Sequence, residues 1–561
     1  MTTRAPVTFD AMWRTAAAHH HERLFLRFAA SSGHVTEWTY GEFDRVVEGA
    51  ATRLTRAGVG PGAAVHLALT NSPTFVAVWL GCTRLGAWIV PSDPRSTGPE
   101  LTEHASRTRP VVGFCASARA DTYRSIPAAS VPPTVIDVDE DDAALAWLEP
   151  STPADRPRPA VADRAAVMFT SGTTGRPKGV EITQANYAFA GATMAAAADL
   201  TAEDRQLVVL PLFHANAQYY SFAAAIAVGA SVALMPTFSA SRFVSQAAAH
   251  SATCASLFAG PIRMILRRGG PPLRSPATQA APDRSLAGAH SLARPDGSGT
   301  FPPLRLRHCW FAQNLTPDEY ATISDWLGCR PRQLYGMTET VPAVLVDERD
   351  HPRCDTMGYV TSGCTVDVQG PNGEPPTPGP DGTITGEVVV GGERGISLFA
   401  GYLDDPATTS ASFRDGWFLT SDRARRDADG RHHFDGRHSD VLKVAGENVS
   451  VVEIENLLAR HPDVAEVAVV GAPDEIRDQV PVAFVVPVPG ISGGDDGNDG
   501  LDGLKDILDA WCVQHLGQAK RPRHISFVDE LPRTSVGKIK KYVLMASPAG
   551  ATTERPREDD Q

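Results

Sequence analysis

One short segment concentrates groups that bind phosphate. The eleven residues from Phe169 to Gly179 contain four hydroxyl side chains, three glycines, Arg176 and Lys178. Glycine lets the backbone turn tightly and expose successive N–H groups, which form a concave site for an anion. The hydroxyls add neutral donors, and Lys178 adds a mobile positive charge suited to phosphate. This composition predicts a loop that binds a polyphosphate.

The segment differs from the common G-x-x-x-x-G-K-S/T phosphate loop. That motif places a second glycine five residues after the first, whereas Pro177 lies five residues after Gly172 and Val180 five after Gly175. Segments rich in serine, threonine and glycine are usually flexible surface loops. The order Thr-Ser-Gly-Thr-Thr-Gly-Arg-Pro-Lys-Gly is too long and too specific for that interpretation, so a phosphate loop of another kind is favoured.

Further motifs accompany this loop in a definite order. They are Pro211–His214, Gln333–Thr340, Gly386–Val388, Gly401–Tyr402, Gly416–Asp422, Asp435–Arg437, Val444–Val449 and Pro532–Lys538. Together with the loop they closely resemble the adenylate-forming superfamily, which includes acyl-CoA synthetases, luciferases and the adenylation domains of peptide synthetases. The resemblance covers Phe9–Leu544, and the shared order of the motifs makes it highly specific.

The resemblance implies an ATP-dependent acid–CoA ligase that works in two steps. A carboxylic acid and ATP give acyl-AMP and pyrophosphate, and the acyl group then passes to CoA. Both reactants of the first step are anions, so neutralising their charge dominates the barrier. By resemblance, Lys538 reaches the carboxylate and the bridging phosphate oxygens, and Thr338 lies near the α-phosphate. Glu339 coordinates Mg²⁺ as a hard oxygen ligand.

The nucleotide contacts are assigned on the same basis. Tyr335 offers an aromatic face to adenine, Asp422 offers two acceptors to the ribose hydroxyls, and Arg437 assists at the ribose. Each side chain alone would equally suit a structural role, but their shared order favours a site. The residues expected to contact the nucleotide are Thr170, Ser171, Gly172, Thr173, Thr174, Lys178, Ala312, Gln313, Asn314, Tyr335, Gly336, Met337, Thr338, Asp422, Arg437 and Lys538.

The resemblance also implies that the C-terminal domain rotates after acyl-AMP has formed and presents a second face. Lys443, Gly446 and Glu447 match the segment that lines the channel for the CoA thiol in that second state. His214 matches the residue that gates the acyl pocket from this channel, although a lone histidine after an apolar strand is more often structural. The expected catalytic residues are Lys538, His214, Lys443 and Thr338.

Several positions depart from the family pattern. Trp310–Leu315 stands where a turn rich in glycine, alanine and proline usually touches adenine. Ser439 occupies a hinge position that is usually Asp or Lys, and Ser421 replaces the glycine of the usual Thr-Gly-Asp.

Two further departures concern the acid. Asn216 and Gln218 place amides where fatty-acyl ligases favour glycine and apolar residues. A buried amide is costly unless it meets a polar ligand or another partner. Among acyl-CoA ligases, the chain is most similar to the crotonobetaine/carnitine-CoA ligase-like branch, which takes small polar acids. We therefore expect a small carboxylic acid, polar or aromatic rather than long-chain.

Alternating strand and helix patterns must position these motifs. Apolar spacing predicts a helix within Thr39–Gly58 and a helix at Pro73–Leu85 between strands Ala64–Leu69 and Ala87–Val90. The same alternation returns after the phosphate loop, which predicts parallel sheets. The expected fold class is α/β: a large N-terminal domain of two α/β subdomains plus a β-barrel-like part, followed by a small, mobile α+β C-terminal domain.

The 561 residues exceed what one core usually holds. We expect an AMP-binding domain at residues 1–436, containing a flexible insertion at 269–303, a C-terminal domain at 437–546 and a disordered tail at 547–561. Residues 490–503 read as a solvated loop. After it, a helical stripe is predicted from Leu504, Ile507, Leu508, Trp511, Cys512 and Leu516.

Composition excludes some classes of partner. The net charge of −13 argues against nucleic-acid binding, which uses an excess of Lys and Arg. The longest apolar tract, Phe222–Met235, is interrupted and too short to span a bilayer. Eight scattered cysteines without a C-x-x-C pair fit reduced thiols. We expect a soluble cytoplasmic protein without an integral membrane segment. Its assembly is left open, with a homodimer as one alternative.

Two other functions compete with acid–CoA ligation. The adenylate could pass to another acceptor: a carrier-protein thiol, an amine, or nitrite as in diazotases of the family. A catalytically silent nucleotide-binding protein is the third alternative, and the presence of Lys178, Glu339, Asp422 and Lys538 argues against it.

Overall fold

The computed structural model describes residues 5–148, 156–170, 177–268, 304–437, 441–444, 447–474, 477–488, 499–516, 518–533 and 539–545. The chain divides into two compact units. The N-terminal unit comprises Met1–Asp367 and Val389–Leu419, and the C-terminal unit comprises Val368–Val388 and Thr420–Gln561. The domain boundary after residue 436 stays a prediction. The expected insertion at 269–303 and the tail at 547–561 lie outside the described residues.

Strands and helices alternate along much of the chain. The strands are β1 Leu24–Ala29, β2 Val35–Thr39, β3 Ala64–Ala68, β4 Trp88–Pro91, β5 Val112–Ala116, β6 Thr134–Val138, β7 Arg164–Thr170, β8 Lys178–Thr183, β9 Arg205–Val208, β10 Ser231–Leu234, β11 Cys254–Ser256, β12 His308–Phe311, β13 Arg332–Tyr335, β14 Leu345–Val346, β15 Tyr359–Val360, β16 Thr365–Gln369, β17 Ile384–Gly391, β18 Gly401–Tyr402, β19 Phe413–Arg414, β20 Trp417–Arg426, β21 His432–Arg437, β22 Val441–Val444, β23 Glu447–Ser450, β24 Val464–Asp474, β25 Asp478–Pro487 and β26 His524–Phe527.

The α-helices follow the same chain order. They are α1 Phe9–His19, α2 Tyr40–Arg56, α3 Pro73–Leu85, α4 Gly98–Thr108, α5 Ala120–Arg124, α6 Gln184–Ala197, α7 Ala224–Val228, α8 Phe243–Ala249, α9 Ala259–Arg268, α10 Pro317–Leu327, α11 Pro406–Ala411, α12 Val451–Leu458, α13 Asp499–His515 and α14 Lys541–Met545. A π-helix spans Asn216–Ala223 and leads into α7.

Two large sheets organise the N-terminal unit. The strand order is β15-β14-β13-β12-β11-β9-β10-β1-β2 in the first and β18-β8-β7-β4-β3-β5-β6 in the second. Neighbours among β9 to β13 run parallel, as do neighbours among β3 to β6. Every residue of α3 is buried, as expected for a helix that is packed on all sides. The two sheets correspond to the two predicted α/β subdomains.

Local signals in the sequence account for the helix ends. At the start of α10, the Thr316 hydroxyl accepts a hydrogen bond from the Glu319 backbone N–H at 3.2 Å, and the Glu319 carboxylate accepts one from the Thr316 N–H at 2.9 Å. This reciprocal capping box satisfies two N–H groups that a helix start leaves unpaired. The helix stops at Gly328, whose φ of +69° lies in the left-handed region that favours glycine. Both ends agree with the sequence pattern.

A smaller sheet lies where the β-barrel-like part was predicted. It has the strand order β16-β17-β20-β19, with β21 beside β20. Strand β20 pairs antiparallel with both β19 and β21. The boundary between the two units falls within β16, β17 and β20.

The C-terminal unit has its own sheet and core. The strand order is β23-β22-β25-β24, with β26 beside β25, and residues of α12 and α13 share a hydrophobic cluster with these strands. Four members of the predicted α13 stripe are buried: Leu504, Leu508, Cys512 and Leu516. The prediction for Ile507 is wrong, because its side chain is 50% exposed. At about 100° per residue, Ile507 falls at the edge of the stripe rather than at its centre.

The start of α13 also differs from the prediction. The helix begins at Asp499, so the last residues of the expected loop at 490–503 are helical. Residues 489–498 lie outside the described part of the chain.

Candidate active site

The predicted phosphate loop connects two paired strands. Strands β7 and β8 run antiparallel, with Thr170 opposite Lys178. The structure therefore brings the two ends of the loop side by side. The Arg107 guanidinium donates a hydrogen bond to the Pro177 carbonyl at 2.6 Å, which anchors one end. Ser171, Gly172, Thr173 and Thr174 lie outside the described residues, and their phosphate contacts stay predictions.

A chain of buried and partly buried polar groups lies against the last residues of β7. The His104 ring stacks on Phe169 with 4.1 Å between ring centroids. Ser92 Oγ is hydrogen-bonded to His104 Nδ1 at 2.7 Å and to His66 Nε2 at 2.8 Å, and Tyr123 Oη is hydrogen-bonded to His66 Nδ1 at 2.8 Å. Burial lowers the pKa of His104 to about 4 and that of His66 to about 3. Both rings are therefore neutral near pH 7, and they support Phe169 without adding charge.

Tyr402 links the loop lysine to the predicted metal ligand. The Lys178 ammonium lies 4.8 Å from the centroid of the Tyr402 ring, and the Tyr402 hydroxyl donates a hydrogen bond to Glu339 Oε1 at 3.0 Å. Glu339 and Tyr402 are 5% and 7% exposed. Burial, reinforced by the nearby Glu339, raises the pKa of Tyr402, so its hydroxyl keeps the proton that it donates. Lys178 and Glu339, far apart in sequence, thus meet around one aromatic ring.

No role for Tyr402 was predicted from the sequence, although the residue lies in the Gly401–Tyr402 motif. The one sequence feature that could have indicated a role is its place in that motif, because most other motifs of the ordered set carry predicted site residues. A tyrosine in a two-residue strand reads equally well as a core residue. Its contact with Glu339 joins residues that are 63 positions apart and could not be inferred from spacing.

The segment after β13 carries several predicted nucleotide contacts. Tyr335 ends the strand, and Gly336, Met337 and Thr338 follow it, all four partly exposed. A Cβ at Gly336 would lie 2.9 Å from Ala343 Cα and 3.0 Å from the Pro342 carbonyl oxygen, so this close approach requires glycine. In parallel α/β sheets, ligands bind beyond the carboxyl ends of the strands. These residues occupy that position.

Beside this segment lies the turn that departs from the family pattern. Strand β12 neighbours β13, and Ala312, Gln313 and Asn314 follow β12 directly. Asn314 Oδ1 accepts a hydrogen bond from Gln333 Nε2 at 3.0 Å, and the Ala312 carbonyl accepts one from the Ala259 N–H at 3.0 Å. Hydrogen bonds therefore stabilise this turn, which lacks the proline that is usual in the family.

The middle residue of this turn is strained. Gln313 has a φ of +74° and an exposed side chain. A left-handed conformation costs a residue other than glycine roughly 1 kcal/mol. The backbone thus keeps a conformation that glycine would adopt freely.

His214 and the two predicted amides follow β9. His214 is partly exposed, and its N–H donates to the Pro211 carbonyl at 3.1 Å in a turn before the π-helix. Gln218 is fully buried: Tyr187 Oη donates to its Oε1, and its Nε2 donates to the Leu212 carbonyl at 2.5 Å. Both ends of the Gln218 amide are therefore hydrogen-bonded within the protein. Asn216 is also buried, but neither polar atom of its side chain has a hydrogen-bond partner within the described residues.

In the C-terminal unit, the two predicted ribose contacts lie together. Asp422 and Arg437 face each other across β20 and β21, and Arg437 Nε donates to Asp422 Oδ1 at 2.7 Å. Asp422 is 2% exposed. Ser421 before it has a φ of +62°, and its N–H donates to Glu387 Oε1 at 2.9 Å. The serine thus occupies a conformation that suits the glycine it replaces.

Other predicted residues of this unit are only partly described. Lys443 lies on β22 opposite Asn448, and Glu447 on β23 lies opposite Val444. Gly446, Ser439 and Lys538 lie outside the described residues. The roles of Lys443, Gly446, Glu447 and Lys538 stay predictions.

The described residues contain no group of three or more histidine, cysteine, aspartate or glutamate side chains that could hold a metal ion. A single buried carboxylate such as Glu339 instead suits Mg²⁺, which retains waters and binds substrate phosphates. Across the described part of the chain, no helix combines the length and apolarity needed to cross a membrane.

Comparisons with known proteins agree with this arrangement. The family model "AMP-binding enzyme" matches residues 13–403, and the model "AMP-binding enzyme C-terminal domain" matches residues 453–538. The chain is 30% identical over 541 residues to the crotonobetaine/carnitine–CoA ligase of Escherichia coli O157:H7 (strain EC4115 / EHEC). This alignment covers 94% of the chain and 97% of that ligase.

Solved structures share the fold. The anthranilate CoA ligase AuaEII in complex with anthranoyl-AMP has a TM-score of 0.80 at 22% identity, with 96% of this chain and 97% of that chain covered. A benzoate CoA ligase from Burkholderia xenovorans LB400 has a TM-score of 0.77 at 20% identity, with 96% and 99% covered. The predicted family resemblance and fold class are confirmed. Matched by the family model over most of its length, the chain belongs to the AMP-binding enzyme family.

Proposed function

We propose that this protein is an ATP-dependent acid–CoA ligase that acts on a small polar or aromatic carboxylic acid through an acyl-AMP intermediate. The observation that carries the proposal is the group formed by Lys178, Tyr402 and Glu339. It places a cation for phosphate beside a buried carboxylate suited to Mg²⁺. The similarity to a crotonobetaine/carnitine–CoA ligase, an anthranilate CoA ligase and a benzoate CoA ligase supports both the acid–CoA ligase activity and a small acid as substrate.

Two features of the described residues support the proposed binding of triphosphate. Lys178 lies at the end of the phosphate loop, where its charge offsets that of the β- and γ-phosphates. The Tyr402 hydroxyl fixes the orientation of the Glu339 carboxylate, so the carboxylate oxygens are already positioned before the nucleotide binds. When bound there, Mg²⁺ would supply further charge neutralisation at the phosphates.

The remaining roles rest on position. Tyr335 to Thr338 and the turn Ala312–Asn314 lie at the carboxyl ends of neighbouring strands, where adenine and the α-phosphate are expected. His214 follows β9, the strand that pairs with β11 in the same sheet. It is expected to separate the acid from the CoA channel. The scattered cysteines support a reducing, cytoplasmic location as part of the proposal.

The proposal is tested by pyrophosphate release over a panel of short hydroxy, amino and aromatic acids, with and without CoA. We expect pyrophosphate from one or more of these acids, and a CoA thioester detectable by mass spectrometry when CoA is added. If no acid supports pyrophosphate release, adenylation is contradicted. If an acid is adenylated but never appears as a thioester, the acceptor is a group other than CoA.

Substituting Glu339 by glutamine should reveal its role at the metal. The amide keeps the shape of the carboxylate but loses its charge, so we expect the Mg²⁺ concentration for half-maximal adenylation to rise at least about tenfold. Tyr402→Phe removes the hydrogen bond to Glu339 and should give a smaller shift in the same direction. The measurement is a magnesium titration of pyrophosphate exchange.

A matched variant controls for loss of a partly buried carboxylate. Glu48→Gln alters a carboxylate that pairs with Arg84 at 3.2 Å and does not belong to the Lys178–Tyr402–Glu339 group. It should affect stability and leave the magnesium titration unchanged. An unchanged titration for Glu339→Gln itself would remove this residue from the metal site.

A further inference from the structure

Asn216 is a buried amide that the protein does not satisfy. It is 5% exposed, and both its Nδ2 and its Oδ1 lack a hydrogen-bond partner among the described residues. Native proteins pair the great majority of their buried polar groups, and an unpaired amide destabilises the fold. An exception of this kind requires a reason, and a bound polar group supplies one.

The neighbouring amide of Gln218 is hydrogen-bonded at both ends, so the lack of partners concerns Asn216 and not both amides of the helix. Gln218 lies two residues further along the same π-helix and is fully buried, yet both ends of its amide are hydrogen-bonded to Tyr187 and Leu212. The helix is therefore built to satisfy one amide internally and to leave the other available. π-Helical segments occur frequently at functional sites.

The π-helix packs on the part of the sheet that faces the candidate active site. It contacts β9 and β11, and its residue Tyr220 reaches the turn after β13: a Cβ at Gly336 would lie 3.0 Å from Tyr220 Oη. Asn216 precedes Tyr220 by four residues, about one turn of helix. It also follows His214, the residue expected to border the acyl pocket, by two positions. Asn216 is thus two residues from the expected acid gate, on a helix whose Tyr220 reaches the nucleotide segment.

The sheet beneath this helix carries further buried polar atoms that have no hydrogen-bond partner among the described residues, and Ser256 and Trp310 supply two of them. Cys254 and Trp310 belong to the same hydrophobic cluster as the π-helix residues, and Ser256 faces the same side because alternate strand residues do. Ser256 and Trp310 are register partners on β11 and β12. Their Oγ and Nε1 atoms have no hydrogen-bond partner among the described residues. Gln206 and His308, the register partners of Cys254, add polar side chains to this face, and the guanidinium of the buried Arg332 there donates to the Asp347 and Ala197 carbonyls.

We propose that Asn216 selects the acid substrate by hydrogen-bonding a neutral polar substituent on the acyl group, beyond the carboxylate that is adenylated. An amide offers one donor group and one acceptor, which match a hydroxyl, carbonyl, amide or neutral amine. It offers no charge to balance a second carboxylate. The substrate class is therefore short carboxylic acids with a neutral hydrogen-bonding substituent. This inference rests on the proposed function and specifies its substrate.

The test compares pairs of acids that differ only by a hydroxyl or a methyl group. The first pair is 3-hydroxybutanoate and 3-methylbutanoate, and the second is 2-hydroxybenzoate and 2-methylbenzoate. Each is assayed by pyrophosphate exchange to give kcat/KM with the wild type, Asn216→Leu and Asn216→Ala. Leucine has nearly the shape of asparagine without its hydrogen-bonding atoms, and alanine serves if leucine does not fold.

In at least one pair, we expect the wild type to prefer the hydroxy acid by roughly tenfold or more, because the methyl isostere leaves the amide unpaired. Asn216→Leu should reverse that preference by losing activity on the hydroxy acid and retaining or gaining activity on its isostere. Its thermal stability without substrate should not fall, because an unsatisfied amide is removed. Retention of the wild-type ratio by both Asn216 variants would overturn the proposal.

Gln218→Leu is the matched control. Its amide is used within the protein, so this variant should lower the melting temperature while keeping the ratio between hydroxy and methyl acids. A change of ratio in Gln218→Leu equal to that in Asn216→Leu would contradict the assignment to Asn216. Wild-type adenylation that favours the methyl acid in both pairs would also contradict it. If the wild type adenylates no acid at all, the proposed function fails and this inference fails with it.

Discussion

Replacement of Lys538 by alanine is expected to slow adenylate formation by roughly 10²- to 10³-fold while leaving the fold intact. The family resemblance places this lysine at the carboxylate and the bridging phosphate oxygens, where charge is redistributed as the acid attacks ATP. Its charge is needed mainly in the transition state, so kcat should fall more than substrate binding weakens. The measurement is pyrophosphate exchange under saturating ATP and acid.

The structure supports the expectation of an intact fold. Arg533 and Ile539 form a β-bridge on either side of the segment that contains Lys538. Truncating one side chain in a polar segment closed in this way should cost little stability. Near-normal pyrophosphate exchange by Lys538→Ala would exclude the assigned role.

A second lysine provides the control. Lys541 lies three residues later in α14, and its Nζ is 2.8 Å from Glu455 Oε1. Partly exposed ion pairs of this kind contribute little to stability. Lys541→Ala should therefore retain adenylation within about twofold of the wild type. An equal loss in both variants would indicate a general effect of positive charge in this segment.

Gly446→Trp is expected to abolish thioester formation while sparing adenylate formation. The resemblance assigns the segment around Gly446 to the channel for the CoA thiol, and assigns Lys538 to the earlier step. An indole should fill a narrow channel without contacting the nucleotide. We expect a loss of acyl-CoA of at least about 100-fold, with isotope exchange into ATP reduced by no more than a few fold.

The two activities are measured on the same preparation, by isotope exchange and by mass spectrometry of acyl-CoA. Gly503→Trp is the control, because a Cβ at Gly503 would have no heavy atom within 4 Å and the residue is exposed on α13. It introduces the same bulk into the same unit and should preserve both activities. If Gly446→Trp reduces both activities equally, the division of labour between the two segments is refuted.

Local features of the sequence predicted the elements that position the site. The helix expected within Thr39–Gly58 and the strands expected on either side of α3 are present, and α3 has the predicted bounds. These features depend on neighbours within a few residues: caps, proline at a first turn, and apolar spacing. The exceptions are at edges, where α13 begins earlier than expected and Ile507 is exposed.

The pairing of distant side chains needed the structure. In the sequence, Asn216 and Gln218 are two equivalent amides. Only the packed structure shows that Tyr187 donates a hydrogen bond to Gln218, whereas the Asn216 amide has no partner among the described residues. Likewise, Lys178 and Glu339 were assigned to phosphate and metal separately, and the fold placed Tyr402 between them. Such contacts join different elements, so no local pattern encodes them.

By itself, the sequence determined the family, the order of the elements and the residues that could perform adenylation, because motif chemistry and helix and strand signals are local properties of the chain. The tertiary structure alone decided which polar groups are already satisfied inside the protein and which remain for a substrate. That distinction depends on the burial and hydrogen bonding of each atom, which arise only when elements far apart in sequence pack together.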